Sequence, residues 1–370
     1  MWLIPYVGMI LLPVVKKRGK YYWLLCALLL CFIVNSSKNF ADFDGYQVYY
    51  SAVVQGDNYV VQALGLPLGW FILCKAFAII GLSLCGLYDA VIVFSFFLLH
   101  RFVLKTACNE NIFFAMFLVF PALVQCVQIR YFLATSIVVY SFGFMFKEQN
   151  HNWMKYLIGV GIAFMIHNSC IIFAYLVLIF AYENLTIKKS IVITVIGIAL
   201  LYSSLSYIPK IATIILPDIK YQRYFVSGIS NSSTAWIIKI LCVWILNMFL
   251  LLLMKYSSRQ MFIETSYVSV ERPKFLIYNR IFATVSLLGV TIPLLFIDSN
   301  FHRFLEVGYI IGYVWLSRYL SLSSNDKYSK IIIVVLYMAV LGICIYFYIP
   351  YRTIIYPFLF ECSGLALPFR

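Results

Sequence analysis

Residues 331–348 read IIIVVLYMAVLGICIYFY, an unbroken apolar run without a charged side chain. A helix of this length comes close to the roughly 30 Å thickness of the hydrocarbon core of a bilayer. Backbone N–H and C=O groups in lipid need partners within a helix or a closed barrel. Barrel strands would alternate apolar and polar residues, and this run does not alternate. The run therefore predicts a membrane-spanning helix.

The rest of the chain repeats this pattern. Of its 370 residues, 64% are hydrophobic and only 11% are charged, and the mean hydropathy is +0.93. A soluble domain normally has about a quarter of its residues charged. We therefore predict an all-α polytopic membrane protein, a single integral membrane domain over residues 1–370 with about 11 to 13 segments, some of them broken or re-entrant. Residues 1–15 lack a preceding basic region, so we expect them to be the first span and not a cleaved signal.

Basic residues give the orientation, because Lys and Arg collect in short loops on the cytoplasmic side. The densest group, KKRGK at 16–20, places the first loop inside. The same rule places three later groups inside, at 188–189, 255–274 and 318–330. Between them the chain must leave and return, so residues 208–234 form the largest outer loop and residues 298–303 a smaller one. The net charge of +14 is spread over such loops, which favours membrane orientation over nucleic-acid binding.

Residues 59–182 allow two topologies. In the first, residues 87–104 do not fully cross the membrane, and residues 155–182 form a hairpin with His167 at its outer tip. Arg130 then lies outside, and four other basic residues lie inside: Arg101, Lys105, Lys147 and Lys155. In the second topology both segments cross once, and all five basic residues change sides. The positive-inside rule favours the first.

The polar residues on the outer side are the functional candidates, because ionisable groups near apolar segments are costly and usually mark a site or a pathway. They are Asp42, Asp44, Gln125, Gln128, Arg130, His167, Lys210, Lys220, Arg223, His302, Arg303 and Arg352. A guanidinium presents a planar fork of donors that matches phosphate oxygens. Several outward arginines therefore predict a site for a lipid-linked phosphate or pyrophosphate, with His and Asp as proton acceptors.

Each candidate also has a structural explanation. Arg130 can pair with a carboxylate or reach lipid phosphate, and His167 can be a hydrogen-bonded packing residue. Asp42 and Asp44 can cap a helix or form a turn. The other candidates can simply mark a solvated loop or a membrane boundary: Lys220, Arg223 and His302.

Asp42 and Asp44 are also separated by the spacing of a metal-binding pair of carboxylates. One such pair without further ligands is a weak metal signal. The arginines already supply the positive charge that a phosphate needs. We therefore predict no metal and no cofactor.

Short motifs at these residues resemble a known family. In chain order they are Asp44-Gly-Tyr with Tyr49-Tyr50, Arg130-Tyr-Phe-Leu-Ala, Ile166-His167-Asn-Ser, Arg303-Phe with Tyr309, Tyr351-Arg352 and Tyr356-Pro357-Phe. Together they resemble the EpsG-like exopolysaccharide polymerases and the related Wzy-type O-antigen polymerases of bacterial envelopes. The family often has Arg-Gln where this chain has Arg130-Tyr131.

The resemblance implies a reaction, a compartment and a fold. Such enzymes transfer a growing polysaccharide from undecaprenyl pyrophosphate onto a new lipid-linked repeat unit, at the periplasmic face of the inner membrane. Their architecture is similar to that of the GT-C glycosyltransferases. The implied partners are the undecaprenyl-pyrophosphate-linked oligosaccharide, membrane lipid and a chain-length regulator protein, with no nucleic acid.

These roles are assigned to the residues that match the motifs or share their side of the membrane. We expect the pyrophosphate to be bound by Arg130, Arg223, Arg303 and Arg352. The proton acceptor is expected to be His167 first, then Asp44, then His302. We expect sugar or acceptor contacts from Asp42, Tyr46 and Gln128.

Two other classes of function remain open at this point. An O-antigen ligase-like enzyme would share the outer arginines and histidine but use a different acceptor. A polysaccharide transporter or flippase would need charged residues through the whole depth of the membrane. The charges concentrate at one boundary, with Lys75 as the clearest exception, which favours chemistry at a surface.

Overall fold

The computed structural model describes residues 2–15, 19, 21–37, 40, 42–57, 65–146, 152–181, 186–210, 233–264, 272–321, 327–348 and 354–360. Helices and turns make up this described part, and it contains no β-strand. The predicted all-α fold is therefore confirmed. The chain divides into two compact units, Met1–Val177 with Ile345–Arg370, and Leu178–Cys344. The single domain over 1–370 stays a prediction.

The described helices are numbered in chain order. They are α1 (Leu3–Val15), α2 (Tyr22–Ser36), α3 (Phe43–Gln55), α4 (Leu68–Ile79), α5 (Leu84–Thr106), α6 (Glu110–Val119), α7 (Ala122–Val127), α8 (Ile129–Phe142), α9 (Asn152–Ile166), α10 (Leu178–Ala181), α11 (Ile187–Ser204), α12 (Thr234–Glu264), α13 (Arg272–Leu288), α14 (Arg303–Ser321), α15 (Lys327–Tyr348) and α16 (Tyr356–Leu359). Four 3₁₀ segments complete the list: Gly143–Phe146, Asn168–Val177, Gly289–Phe296 and Ser299–His302.

Five helical segments are long and apolar enough to cross a membrane: Leu84–Thr106, Ile187–Ser204, Thr234–Ser257, Ile277–Phe296 and Lys327–Phe347. Seven shorter apolar helices accompany them in the described part of the chain. This supports a polytopic membrane protein. Since only five segments among the described residues have the full length, the predicted 11 to 13 crossings depend on the shorter helices, and that number stays a prediction.

In the first unit, α2 and α5 pack side by side in opposite directions. Near one end, Asn35 Nδ2 donates hydrogen bonds to both carboxylate oxygens of Asp89, at 2.9 Å each. Near the other end, the indole of Trp23 stacks on the His100 ring with 5.1 Å between centroids. We call these two ends of the unit the Asn35 end and the His100 end. The bundle thus places residues from distant parts of the chain at a common depth.

The expectation that residues 87–104 stop short of crossing is wrong, because the helix that contains them is long enough to cross. Helix α5 has 23 residues, which corresponds to roughly 35 Å of rise. It runs from the Asn35 end to the His100 end beside α2. The segment too short to cross is α4, with 12 residues.

The predicted hairpin over residues 155–182 is confirmed. Helix α9 ends at Ile166, and a 3₁₀ segment, Asn168–Val177, follows His167. The Tyr156 hydroxyl donates a hydrogen bond to the carbonyl of Phe173 at 2.6 Å. In a continuous helix these two residues would lie roughly 25 Å apart, so the chain reverses at His167.

Helices α8 and α9 approach each other closely at Gly159, and this contact leads to a prediction about stability. A Cβ added to Gly159 on α9 would lie 2.7 Å from Ser141 Cβ on α8 and closer still to its hydroxyl. We expect Gly159→Ala to destabilise the protein by about 1–3 kcal/mol, as overpacking does. Thermal unfolding of the purified protein in detergent measures this. Gly161→Ala is the matched control, because nothing lies within 4 Å of its Cβ, and a loss of stability there equal to that of Gly159→Ala would contradict the packing explanation.

The second unit is built around α14, which is buried along nearly its whole length. Helices α11 and α13 are joined by a hydrogen bond between the hydroxyls of Thr194 and Ser286 at 2.9 Å. The indole N–H of Trp244 on α12 donates to the carbonyl of Val285 at 3.1 Å. These polar contacts between apolar helices fix their rotation, which apolar surface alone would leave undefined.

Candidate functional site

Arg130 lies at the Asn35 end of the first unit, where the chain starts α8 after a break at Gln128. Its guanidinium carbon lies 5.3 Å from the ring centroid of Tyr46 and 5.4 Å from that of Tyr49. Tyr46 and Tyr49 are three residues apart on α3, so both rings face the same side. Two aromatic rings therefore hold the guanidinium in place.

No carboxylate in the described part of the chain pairs with this guanidinium. The Nε atom of Arg130 is buried and has no hydrogen-bond partner among the same residues. A buried cation without a counter-ion is unfavourable, because burial removes its hydration. Carboxylate pairing within the described residues is thus excluded as the explanation for Arg130. The arrangement suits an anion that comes from outside the protein.

More aromatic side chains surround Tyr46. Trp70 on α4 lies 6.2 Å from it and Tyr88 on α5 lies 5.9 Å from it, measured between ring centroids. Gly69, next to Trp70, approaches the Met165 carbonyl so closely that an added Cβ would lie 2.8 Å from the oxygen. Helices α3, α4, α5 and α8 therefore converge on one cluster, and the end of α9 reaches it through Gly69.

His167 lies at the turn of the hairpin, beside the start of α8. Its ring packs edge-on against Tyr131, the neighbour of Arg130, with 5.3 Å between centroids. Its Nδ1 atom is 2.7 Å from the Ser169 hydroxyl. This contact orients the imidazole, which is the geometry that a proton acceptor needs. The structure thus brings the first choice of base and the first arginine to the same end of the unit.

Asp44 occupies a different face of α3. It is exposed in the first turn, two residues before Tyr46, and successive residues of a helix are about 100° apart. Asp44 therefore does not share the face of α3 that Tyr46 and Tyr49 present to Arg130. Its own face, with Gln47, Ser51 and Asp57, lines a cavity of about 480 Å³.

Asp42 and Gln128, two predicted sugar-binding residues, differ in their burial. Asp42 is at the N-cap position of α3, with φ of 71°, and its side chain makes no capping hydrogen bond. The capping explanation for Asp42 is therefore not supported. Gln128 is buried, and its Oε1 atom has no partner within the described ranges. Gln125 is also buried, and its Oε1 atom accepts a bond from the Thr135 hydroxyl at 3.4 Å.

In the second unit, His302 is held from three sides. Its Nδ1 atom lies 2.6 Å from the Ser299 carbonyl, so this nitrogen must donate. Its Nε2 atom lies 3.4 Å from a carboxylate oxygen of Glu306, close enough for an ion pair but not aligned as a hydrogen bond. Trp236 packs edge-on at 5.7 Å. Both ring nitrogens of His302 therefore face acceptor oxygens of the protein.

Arg303 follows directly. Its Nη2 atom donates to Asn300 Oδ1 at 2.8 Å, and Asp298 caps the same turn by accepting from the Asn300 backbone N–H at 2.8 Å. The turn before α14 is therefore rigid, and it carries His302 and Arg303 side by side. Their role in binding stays a prediction.

Two predicted arginines, Arg223 and Arg352, lie outside the described residues. Most of the predicted outer loop, residues 211–232, lies outside them as well. No group of three or more His, Cys, Asp or Glu side chains comes together as a metal site within the described ranges. That the reaction needs no metal stays a prediction.

Sequence reasoning missed four residues that the structure places at these clusters: Tyr49 as a ring for Arg130, Trp70, Tyr88 and Glu306. Tyr49 could have been found from its i, i+3 spacing to Tyr46, and Glu306 from its i, i+4 spacing to His302. Trp70 and Tyr88 carry no such signal, because they lie on other helices within apolar runs.

The comparisons with known proteins agree with this architecture. No curated protein and no solved structure matches the chain. The sequence model of the EpsG family matches residues 20–360, which is nearly the whole chain. This family consists of membrane-associated proteins with a polysaccharide polymerase-like, glycosyltransferase-like function. Its match over this range, together with the all-α membrane architecture, shows that the chain belongs to the EpsG family.

Proposed function

We propose that the protein polymerises polysaccharide repeat units on a lipid carrier. It transfers the growing glycan from undecaprenyl pyrophosphate onto a new lipid-linked repeat unit, at the periplasmic face of a bacterial inner membrane. The family match supports the general activity. The carrier, the direction of transfer and the face of the membrane are the parts that this proposal adds.

One observation carries the proposal. Arg130 is a cation at one end of an apolar bundle, held between Tyr46 and Tyr49, and no carboxylate in the described part of the chain neutralises it. A lipid-linked pyrophosphate would reach this depth from the bilayer and bring the missing negative charge. Arginine is well suited to bind phosphate oxygens, because the guanidinium presents a planar fork of hydrogen-bond donors.

The proposed step needs charge stabilisation and a proton acceptor. The acceptor hydroxyl oxygen forms a bond to the anomeric carbon of the donor glycan, while the bond from that carbon to the phosphate oxygen breaks. The electron pair of the broken bond leaves with the pyrophosphate, whose negative charge increases. Arg130 stabilises that charge, as preorganised donors do in other transfer reactions.

His167 takes the proton of the acceptor hydroxyl in this proposal. Its Nδ1 atom is oriented by Ser169, and its ring lies beside Tyr131, next to Arg130. Asp44 is the second choice. It is exposed, and it lines the cavity on the face of α3 that Tyr46 and Tyr49 do not share.

The experiment that tests the function compares polysaccharide banding on gels from a strain that lacks the gene. Complementation with the wild type is expected to restore a ladder of chain lengths, whereas His167→Ala leaves lipid core with a single repeat unit, because the chain cannot be extended. Blotting verifies equal membrane expression. As a control, Lys155→Ala changes an exposed residue on α9 and is expected to restore the ladder.

Three outcomes would count against these assignments. If deletion abolished all repeats on the core, a ligase or flippase would replace the polymerase. If deletion left the ladder unchanged, the protein would act elsewhere. If His167→Ala restored a normal ladder, His167 would not be the base, and Asp44 would be tested next.

A further inference from the structure

Three buried hydrogen-bond donors meet around one ring in the first unit. Trp70 and Tyr88 are each 1% exposed. The indole N–H of Trp70, the hydroxyl of Tyr88 and the Nε–H of Arg130 have no hydrogen-bond partner within the described ranges. All three side chains flank the ring of Tyr46. The ring centroids of Trp70 and Tyr88 lie 6.2 and 5.9 Å from its centroid, and the guanidinium carbon of Arg130 lies 5.3 Å from it. These three unused donors are thus grouped around a shared neighbour, the Tyr46 ring.

Such a group is unusual in a folded protein. More than about nine in ten buried polar groups have a partner, and leaving one unpaired costs roughly 1–3 kcal/mol. Indole and guanidinium groups can only donate, so neither can satisfy the other. The Tyr88 hydroxyl makes no hydrogen bond to Asp42, which is exposed at the start of α3. Each of the three donors therefore lacks an acceptor within the described ranges.

We propose that Trp70 and Tyr88 complete, with Arg130, a binding site for the phosphate oxygens of a lipid headgroup. The inference rests on the proposed function only in naming a lipid diphosphate as the physiological ligand. The aromatic rings around Tyr46 exclude water, which strengthens each hydrogen bond to the anion. Phospholipid phosphate has the same chemistry, so the test distinguishes the two sources.

The first part of the test uses conservative variants of the full chain in nanodiscs. Trp70→Phe and Tyr88→Phe each remove one donor and keep the ring. Isothermal titration measures binding of farnesyl diphosphate, with farnesyl monophosphate and farnesol as comparison ligands. We expect each variant to weaken farnesyl diphosphate binding by about tenfold, as loss of a hydrogen bond to a charged group does, and to leave farnesol binding unchanged.

Matched controls remove donors that already have partners in the same unit. Trp2→Phe deletes an indole N–H that donates to the Ser36 hydroxyl at 2.5 Å. Tyr156→Phe deletes the hydroxyl that donates to the Phe173 carbonyl. Neither control is expected to change the affinity. If Trp70→Phe and Tyr88→Phe bound farnesyl diphosphate as tightly as the wild type, or if the controls lost as much affinity, the site would be refuted.

The second part identifies the source of the phosphate. Titrations are repeated in nanodiscs with increasing phosphatidylglycerol. If wild-type affinity for the diphosphate does not change, the site selects a lipid diphosphate. If affinity falls with phosphatidylglycerol in the wild type but not in Trp70→Phe, bulk phospholipid occupies the same donors. Both results support the site and differ only in its occupant.

The site and the proposed function can fail separately. If the ladder depends on the gene but both variants bind the diphosphate unchanged, the polymerase proposal is supported and the donor site is refuted. If diphosphate binding depends on Trp70 and Tyr88 but the ladder survives deletion of the gene, the donor site is supported and the polymerase proposal is refuted.

Discussion

Arg130→Ala is expected to lower the polymerisation rate by about two to three orders of magnitude, the loss typical of removing one preorganised donor to a developing negative charge. The reason is the absence of a substitute in the described part of the chain: no other basic side chain lies over the ring of Tyr46 or Tyr49 there. Initial rates with purified lipid-linked repeat units in detergent measure the effect. Arg130→Lys should recover little, because an ammonium lacks the planar fork.

The matched control for this prediction is Arg101→Ala. Arg101 is exposed on α5, next to His100 and twelve residues beyond Asp89, so it lies at the His100 end of the unit. Its loss is expected to leave the rate unchanged. Thermal unfolding of each variant separates a failure of catalysis from a failure of folding. A folded Arg130→Ala protein that kept more than about a tenth of the wild-type rate would show that Arg130 does not stabilise the leaving pyrophosphate.

The second large effect is expected on stability. Glu306 is fully buried on α14 and faces His302, whose side chain is 13% exposed. Removing the Glu306 side chain takes away the carboxyl oxygen that lies 3.4 Å from His302 Nε2 and leaves a cavity in the core. Loss of one partner of a buried polar contact costs about 1–3 kcal/mol, and we expect Glu306→Ala to fall near the upper limit, about 3 kcal/mol, because the cavity adds to the loss. Thermal and denaturant unfolding in detergent measure this.

A double-variant cycle isolates the pair. Replacing both residues together, with Glu306→Leu and His302→Leu, should recover most of the stability lost in the single variants, because an apolar pair of similar volume leaves neither polar group without the other. Single losses that simply add in the double variant would mean that His302 and Glu306 act independently.

The fold class follows from sequence because membrane helices depend on local properties. Long apolar runs without alternation define helices one by one, and basic loops orient them. The reversal at His167 was predicted in this way and is confirmed by the contact between Tyr156 and Phe173. The wrong expectation concerned residues 87–104, which contain the charged residue Asp89 near their start. In the folded chain Asp89 is paired with Asn35, so α5 continues past it.

The candidate site was predictable only in part. Arg130 and His167 stand out in the sequence as polar residues beside apolar segments, and the structure brings them to one end of a unit. Asp44 stands out equally, yet it lies on another face of α3 from Tyr46. The two residues differ by two positions along the helix, and only the contact of the Tyr46 and Tyr49 rings with the guanidinium shows which face of α3 meets Arg130.

The order of residues is enough to predict an all-α membrane protein with its charges mostly at segment ends, and its motifs resemble the EpsG family. The contacts of Trp70 and Tyr88 with Tyr46, and of Glu306 with His302, are visible only in the folded chain. The physical reason is that an apolar helix has no polar face to reveal its orientation, because lipid and neighbouring helices are equally apolar. Which buried donors meet is therefore set by packing between helices, which no local pattern records.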